Sequence, residues 1–227
     1  MTAMPTALPS LASALRDGSR AEHEAAEGSA FMAELLAGAL NEDAYRDYLL
    51  RLRTVYTALE DAVRSRAGDP LVAAVHDPGL ERLATIDADL AHWAPGTDPA
   101  LAAGAVDSPA ARAYAERLAE CAHGWGGLLV AHHYTRYLGD LSGGQAIGQV
   151  LDRSFDLDGA GLSFYAFEAV PKPKPYKDAY RSRLDALGLG PEDVERAVAE
   201  VRAAFLLNQA LFAELGRNLP AYRRPAA

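Results

Sequence analysis

The segment LLVAHHYTRYLGDLSGGQAIGQV, residues Leu128–Val150, is the most informative in the chain because it combines a helical pattern with four internal glycines. These are Gly139, Gly143, Gly144 and Gly148. Each glycine inside a helix costs roughly 1 kcal/mol relative to alanine, so other interactions must offset the loss. Gly139 and Gly143 are four residues apart and share one helical face, where a flat ligand or another backbone could approach closely.

This glycine face admits three interpretations. Close packing of two helices, or a kink, is the first. The second is a nucleotide site, since Leu141–Gln145 spells LSGGQ, the signature motif of ABC-transporter ATPases. Those ATPases also need a phosphate-binding loop that contains a lysine. No lysine precedes Lys172, so the nucleotide site is excluded. The third is a helix that lies over the face of a flat ligand.

The rest of the chain has a helical pattern nearly throughout. Apolar residues recur at three- and four-residue steps from Tyr45 to Leu59 and from Val194 to Leu215, so each run forms one face of a long helix. Strand-like alternation is scarce, which argues against a substantial sheet. The pattern predicts about eight helices, near residues 10–24, 29–38, 42–67, 79–93, 108–123, 125–152, 173–187 and 191–217.

Two proline-rich stretches are predicted to connect helices. Residues 94–109 contain three prolines and two glycines. Residues 170–175 have proline at every second position, which disfavours helix in each preceding residue. Neither stretch is long enough for a domain linker, and no internal repeat is present. We therefore predict one all-α domain over residues 1–227, with flexible termini at 1–9 and 218–227.

Composition narrows the classes of function. The formal net charge is −9, so generic nucleic-acid binding is not expected. The single cysteine, Cys121, permits no internal disulfide and favours a reducing compartment. Met1–Ser10 lacks the pattern of a signal peptide, and no run of eighteen apolar residues occurs. We therefore expect a cytoplasmic protein without a membrane anchor. All three lysines lie within residues 172–177, and this local basic patch suggests an anionic ligand or an acidic partner.

Segments from both ends of the chain together resemble the haem oxygenase family. AHHYTRYLGDLSGGQ, residues Ala131–Gln145, is similar to the family's distal helix, which lies over haem. The run His23–Met32 is similar to the proximal helix, and Phe205–Asn208 to the family's AFLLN segment. The resemblance covers roughly residues 11–215 and is weakest over 69–113. It implies an all-helical fold in which haem b is sandwiched between a proximal helix and a kinked, glycine-rich distal helix.

The resemblance assigns the proximal residues. Alone, His23 in a charged helical pattern is typical of a solvated histidine. As a family member it is the axial ligand of haem iron, and Glu27 is the acidic partner of its other ring nitrogen. His132 and His133 are expected to be buried structural histidines. Cys121 is expected to be a small buried apolar group.

The resemblance also assigns residues around the edge of the haem. Lys177, Arg181 and Arg16 fall on positions that bind the propionates. The Arg16 position often holds lysine in the family, and arginine changes the contact geometry. Tyr134 resembles a pocket tyrosine near a propionate. Phe205 would contact the porphyrin, with Asn208 in the same segment.

The implied activity is cleavage of haem to biliverdin, carbon monoxide and ferrous iron, with haem as both substrate and cofactor. Asp140 would hold waters that deliver protons to the bound oxygen, and Arg136 would anchor that water network. Gly139 and Gly143 would form tight walls that direct O2 to one meso edge. No flavin or iron–sulfur motif is present, so electrons must come from a separate ferredoxin or flavin reductase. We expect that donor to dock on the basic face.

Two alternatives from other classes remain at this stage. The first is a haem carrier or sensor without turnover, which would not need the proton network at Asp140. The second is a related helical enzyme that acts on thiamine-like or quinone-precursor substrates. Such an enzyme needs its own acid–base or cysteine constellation, and Cys121 has no obvious partner.

Overall fold

The computed structural model describes residues 10–225, so the terminus predicted at 1–9 lies outside the described residues. Within residues 10–225 there is no β-strand, and one isolated antiparallel bridge joins Leu40 to Arg223. The α-helices are α1 (Leu11–Gly18), α2 (Arg20–Glu27), α3 (Ala30–Leu36), α4 (Glu42–Ser65), α5 (Pro70–Ala73), α6 (Leu83–Trp93), α7 (Pro99–Ala105), α8 (Pro109–His123), α9 (Gly126–His133), α10 (Gln145–Phe155), α11 (Pro173–Asp185), α12 (Pro191–Gly216) and α13 (Leu219–Tyr222). Short 3₁₀ turns cover Pro78–Leu80 and Ser163–Tyr165. The helices are thus more numerous and shorter than the eight predicted.

The two longest helices form the centre of the molecule. Helix α4 begins at the N-cap Asn41, whose side-chain oxygen accepts a hydrogen bond from the Ala44 amide at 3.1 Å. Helix α12 begins with Pro191, where a missing amide proton costs nothing. Helix α4 packs against α8 and α6, while α12 packs against α9, α2 and α1. One cluster of buried apolar side chains extends from Leu11 to Tyr222. Helix α12 therefore holds α2 and α9 in place together.

The first predicted helix is two helices. It breaks at Ser19, and α2 continues to Glu27 instead of ending near residue 24. At the break, a Cβ atom added to Gly18 would lie 2.6 Å from the Val198 side chain on α12. The buried Ser19 hydroxyl donates to the Leu15 carbonyl at 2.7 Å, which satisfies part of the helix end. The break gives α2 its own direction.

Both predicted connections contain helix. Pro99–Ala105 forms α7, with Asp98 as its N-cap. Helix α11 begins at Pro173, so the extended conformation expected for residues 170–175 is wrong from that residue onward. In each case a proline occupies the first helical turn, where it lacks only a hydrogen bond that the helix does not make.

The chain after α12 is folded onto the body of the molecule. Tyr222 of α13 is 4% exposed, and its hydroxyl donates to Asp47 at 2.6 Å. The Arg223 guanidinium pairs with Glu34. The flexible tail expected for residues 218–227 is therefore not found over 218–225, because an aromatic anchor and an ion pair fix it.

The glycine-rich segment forms one helical run, here called the glycine-rich helix, over residues 126–155. It consists of α9, two π-helical turns at Tyr134–Leu138 and Asp140–Gly144, and α10. The hydroxyls of Thr135 and Ser142 donate to carbonyls four residues earlier. Turns of π type are rare and frequently mark functional sites. No helix within residues 10–225 combines the length and the apolar character needed to cross a membrane.

Candidate functional site

A cleft of about 560 Å³ opens between α2 and the glycine-rich helix. Its volume falls in the range typical of small-molecule and cofactor sites. A smaller cavity adjoins it, and His23, Glu27, Thr135, Gly139, Gly143 and Phe205 line both spaces. Residues from the two ends of the chain thus meet here, because α12 packs against both α2 and α9.

The four glycines of the glycine-rich helix have two different environments. A Cβ atom added to Gly139 or Gly143 would meet no atom within 4 Å. Added to Gly144 or Gly148, it would lie 3.1 or 3.2 Å from the Tyr165 ring. Close packing therefore explains the second pair only. The first pair faces open space in the cleft, which favours a helix that lies over a flat ligand.

Beside Gly139, a buried polar network holds Asp140 in one place. Tyr56 donates a hydrogen bond to the Asp140 carboxylate. The Arg136 guanidinium donates to the Tyr56 hydroxyl at 3.1 and 3.2 Å and to the Asn208 side-chain oxygen at 2.7 Å. It also lies 3.6 Å from Asp140. Burial raises the pKa of Asp140 above its ordinary value, although Arg136 and the Tyr56 hydrogen bond oppose the shift. A carboxyl with a raised pKa is suited to proton transfer near neutral pH.

The opposite wall carries His23 on α2. Its side chain is 48% exposed, and its Nε2 atom lies 3.5 Å from a carboxylate oxygen of Glu27. The ring also packs edge-on against Phe205, with centroids 5.3 Å apart. A histidine that makes only these loose contacts has a ring nitrogen available for a ligand or a metal.

The rim of the cleft carries the predicted cations. Arg16, Arg181 and Tyr134 line it, together with Arg20. Lys177 does not line it, but its ammonium donates to Ser142, a rim residue, at 2.9 Å.

The rim cations are only weakly paired. Arg16 and Arg20 both contact Asp17, and Arg181 contacts Asp178, in exposed ion pairs. Exposed pairs of this kind stabilise little, so these cations remain able to bind an anionic group.

His132, His133 and Cys121 are buried among polar partners, which fits the structural roles expected for them. His132 is fully buried, and its Nε2 lies 2.8 Å from Glu200. The same carboxylate pairs with Arg117, and the buried Cys121 thiol lies 3.5 Å from it. Burial raises the pKa of that thiol to about 12, so it stays protonated. With its carboxylate already saturated by donors, this group connects α8, α9 and α12 rather than holding a metal.

His133 is likewise buried and bonded, with Nδ1 2.8 Å from the Tyr180 hydroxyl. Burial lowers its pKa to about 3, which keeps it neutral. Sequence reasoning missed Tyr56, Phe164 and Tyr165 as residues of the site. Nothing in their local pattern distinguishes them from core aromatic residues, since only long-range packing brings Tyr56 to Asp140 and the other two to the smaller cavity.

Comparison with known proteins agrees with this geometry. The family model described as Heme oxygenase matches residues 9–214. The chain belongs to the haem oxygenase family. It is 36% identical to human Heme oxygenase 1 over 215 residues, which cover 93% of this chain and 74% of that protein. It is 35% identical to Heme oxygenase 1 of a Nostoc strain, covering 92% and 87% of the two chains.

The fold agrees as well. The crystal structure of heme oxygenase-1 from the cyanobacterium Synechocystis, in complex with heme, superposes with a TM-score of 0.87 at 33% identity. The match covers 94% of this chain and 95% of that one. The structure of heme oxygenase from Leptospira interrogans superposes with a TM-score of 0.86 at 34% identity. That match covers 91% of this chain and 100% of the other. The all-α fold, the family and the enzyme class predicted from the sequence are confirmed.

Proposed function

We propose that this haem oxygenase family member cleaves haem with O2 and externally supplied electrons, releasing biliverdin, carbon monoxide and ferrous iron. One observation carries the proposal most. Gly139 and Gly143 face open space in a cleft that His23 also lines, and the buried carboxyl of Asp140 lies beside that space. This arrangement fits a flat ligand whose iron can be coordinated by a histidine and whose reaction consumes protons. Membership of the family supports the same substrate.

The residues of the cleft suit haem in three respects. His23 offers a weakly engaged imidazole for iron, and Glu27 is close enough to orient the ring. The bare helix face at Gly139 and Gly143 accommodates a porphyrin without steric conflict. Arg16 and Arg181 place positive charge at the rim, where two propionates would need it. Haem bound there is both the substrate and the site at which O2 is activated.

Each group of the chain then has a defined task. His23 binds the iron, and Phe205 packs beside the imidazole ring. Arg136, fixed by Asn208 and Tyr56, keeps the Asp140 carboxyl at the edge of the cleft. From there Asp140 holds water and passes protons toward the oxygen-binding side. Gly139 and Gly143 would bring bare backbone close to a bound porphyrin and so direct oxygen toward one meso edge.

The electron donor and the location of the protein belong to the same proposal. Arg16, Arg20 and Arg181 on the rim, together with Lys177 beside it, form a basic face on an acidic protein, and this face is the docking site for an acidic ferredoxin or flavin reductase. Because the cleft opens at this face, docking there would shorten the path for electrons to haem bound in the cleft. A single cysteine and a ferredoxin-type donor are consistent with the cytoplasm.

One experiment tests the proposal. The protein is titrated with haem while the Soret band is followed, and O2 with a reductant is then supplied. We expect a histidine-ligated spectrum, then biliverdin and carbon monoxide, and loss of the histidine-ligated spectrum in His23→Ala. His123→Ala, at an exposed histidine outside the cleft, is the matched control. A stable oxygen complex without biliverdin would indicate a carrier, and no Soret change would exclude haem.

A further inference from the structure

A second depression, here called the rear groove, lies on a different face of α10 from the cleft. It has a volume of about 480 Å³. Gln145, Gln149 and Asp152 of α10 line one side, and Ala166 and Pro171 of the following segment line the other. None of these five residues contributes to the cleft. The groove is therefore a separate surface feature behind the glycine-rich helix.

Among the described residues, Tyr165 alone lines both the rear groove and the smaller cavity that adjoins the cleft. Its ring rests on the glycine-rich helix at Gly144 and Gly148, where an added Cβ would lie 3.1 and 3.2 Å away. Glycine at these two positions lets the ring sit directly against the helix. At this point the rear groove and the smaller cavity are thus separated by one aromatic side chain, which packs directly on the backbone of the glycine-rich helix.

The Tyr165 ring is held mainly by packing. Its buried hydroxyl has only the Tyr45 hydroxyl nearby, and within residues 10–225 that contact is too poorly aligned to count as a hydrogen bond. Its ring stacks on Tyr45 with centroids 6.3 Å apart. The buried Tyr56, by contrast, is bonded to both Asp140 and Arg136. A ring without a hydrogen bond can shift between rotamers without breaking one, so Tyr165 is the weaker part of the wall.

We propose that the rear groove is the access route for diatomic gases to the oxygen-binding side of the cleft, with Tyr165 as its gate. This inference rests on the proposed function, because bound haem together with the rim residues would fill the open side of the cleft. Arg16, Arg20 and Arg181 place positive charge at that open side. A small apolar gas passes more readily by an aromatic ring on glycine backbone than through a charged rim. Dioxygen would enter by this route, and carbon monoxide would leave by it.

The test uses carbon monoxide as the probe gas and the ferrous haem complex of the full chain. The rate at which carbon monoxide rebinds after flash photolysis is measured for two variants that should change it in opposite directions. Tyr165→Ala opens the wall and should raise the rate about tenfold. Ala166→Trp places a large ring in the exposed mouth of the groove and should lower it about threefold. In the double variant, the tryptophan should cancel the gain from Tyr165→Ala.

Three controls make the result specific. Tyr165→Phe keeps the ring and should leave the rate within about twofold of the wild type. Tyr165→Leu retains more packing than alanine and should still accelerate association. Ala213→Trp adds an exposed tryptophan on α12 away from both spaces and should change nothing.

Failure of the gate and failure of the proposed function give different results. A normal Soret band with an unchanged rate in Ala166→Trp overturns the gas route and leaves haem binding intact. A gain in Tyr165→Ala that Ala166→Trp does not cancel also overturns it, since the gas then enters elsewhere. Absence of a Soret band in the wild type overturns both proposals together.

Discussion

The two walls of the cleft differ in how firmly their functional groups are held. Asp140 lies in a buried network with Tyr56, Arg136 and Asn208. His23 is about half exposed and has one carboxylate at 3.5 Å. This difference indicates which wall of the cleft is organised before any ligand binds. The proton-handling wall is preorganised by the fold, whereas the iron-binding wall leaves its histidine available.

The largest expected effect comes from removing the centre of the preorganised wall. Asp140→Ala should still bind haem through His23 but should lower the rate of biliverdin formation by about 100-fold or more, the range for general acid–base groups. Soret titration and biliverdin absorbance measure the two quantities separately. Asp69→Ala is the matched control, because Asp69 is a largely buried carboxylate that accepts from the Leu71 and Val72 amides and lines neither the cleft nor the smaller cavity. Normal biliverdin formation by Asp140→Ala would remove this residue from the mechanism.

A smaller effect is expected at the bare helix face. Gly139→Ala should lower turnover about tenfold while haem affinity changes less, because the new methyl group occupies space above the porphyrin. Without haem the same variant should be more stable by about 1 kcal/mol, since its Cβ meets no protein atom. Gly104→Ala in α7 is the control, as its added Cβ also meets nothing. It should gain similar stability and keep wild-type turnover. Equal kinetics for the two variants would contradict a steric role for Gly139.

The last expected effect is on stability rather than turnover and concerns how the glycine-rich helix is anchored. Burial holds the pKa of His133 at about 3, below its ordinary 6.5, so the unfolded chain binds one more proton between these values. The free energy of unfolding should therefore fall as pH drops from 6.5 toward 3. His133→Gln should flatten this decline by about 1 kcal/mol per pH unit. Urea unfolding at several pH values measures it, with His123→Gln as the exposed control. Parallel curves for wild type and His133→Gln would refute the anchoring role.

Much of the fold follows from local pattern. The three- and four-residue apolar period fixes α4 and α12 to within about two residues at each end, because each face repeats within the helix itself. Proline positions were less informative. Proline is common both in loops and in the first turn of a helix, so its presence at Pro99 and Pro173 did not distinguish the two. In the folded protein both residues begin helices.

Within the site, the sequence alone determined the residue types and spacing that mark His23, Asp140 and the glycines. It could not determine which glycines serve the ligand and which serve packing, since all four have the same local context. Only the tertiary structure separated them, by placing Tyr165 against Gly144 and Gly148 and leaving Gly139 facing open space.

The same holds for the partner of Asp140, because Tyr56 lies 84 residues away in the chain. Helical periodicity encodes contacts over three or four residues. The contacts that shift the pKa of Asp140, and those that place Tyr165 at the wall of the site, join helices that are far apart in the sequence. Only the packing of the core brings these helices together.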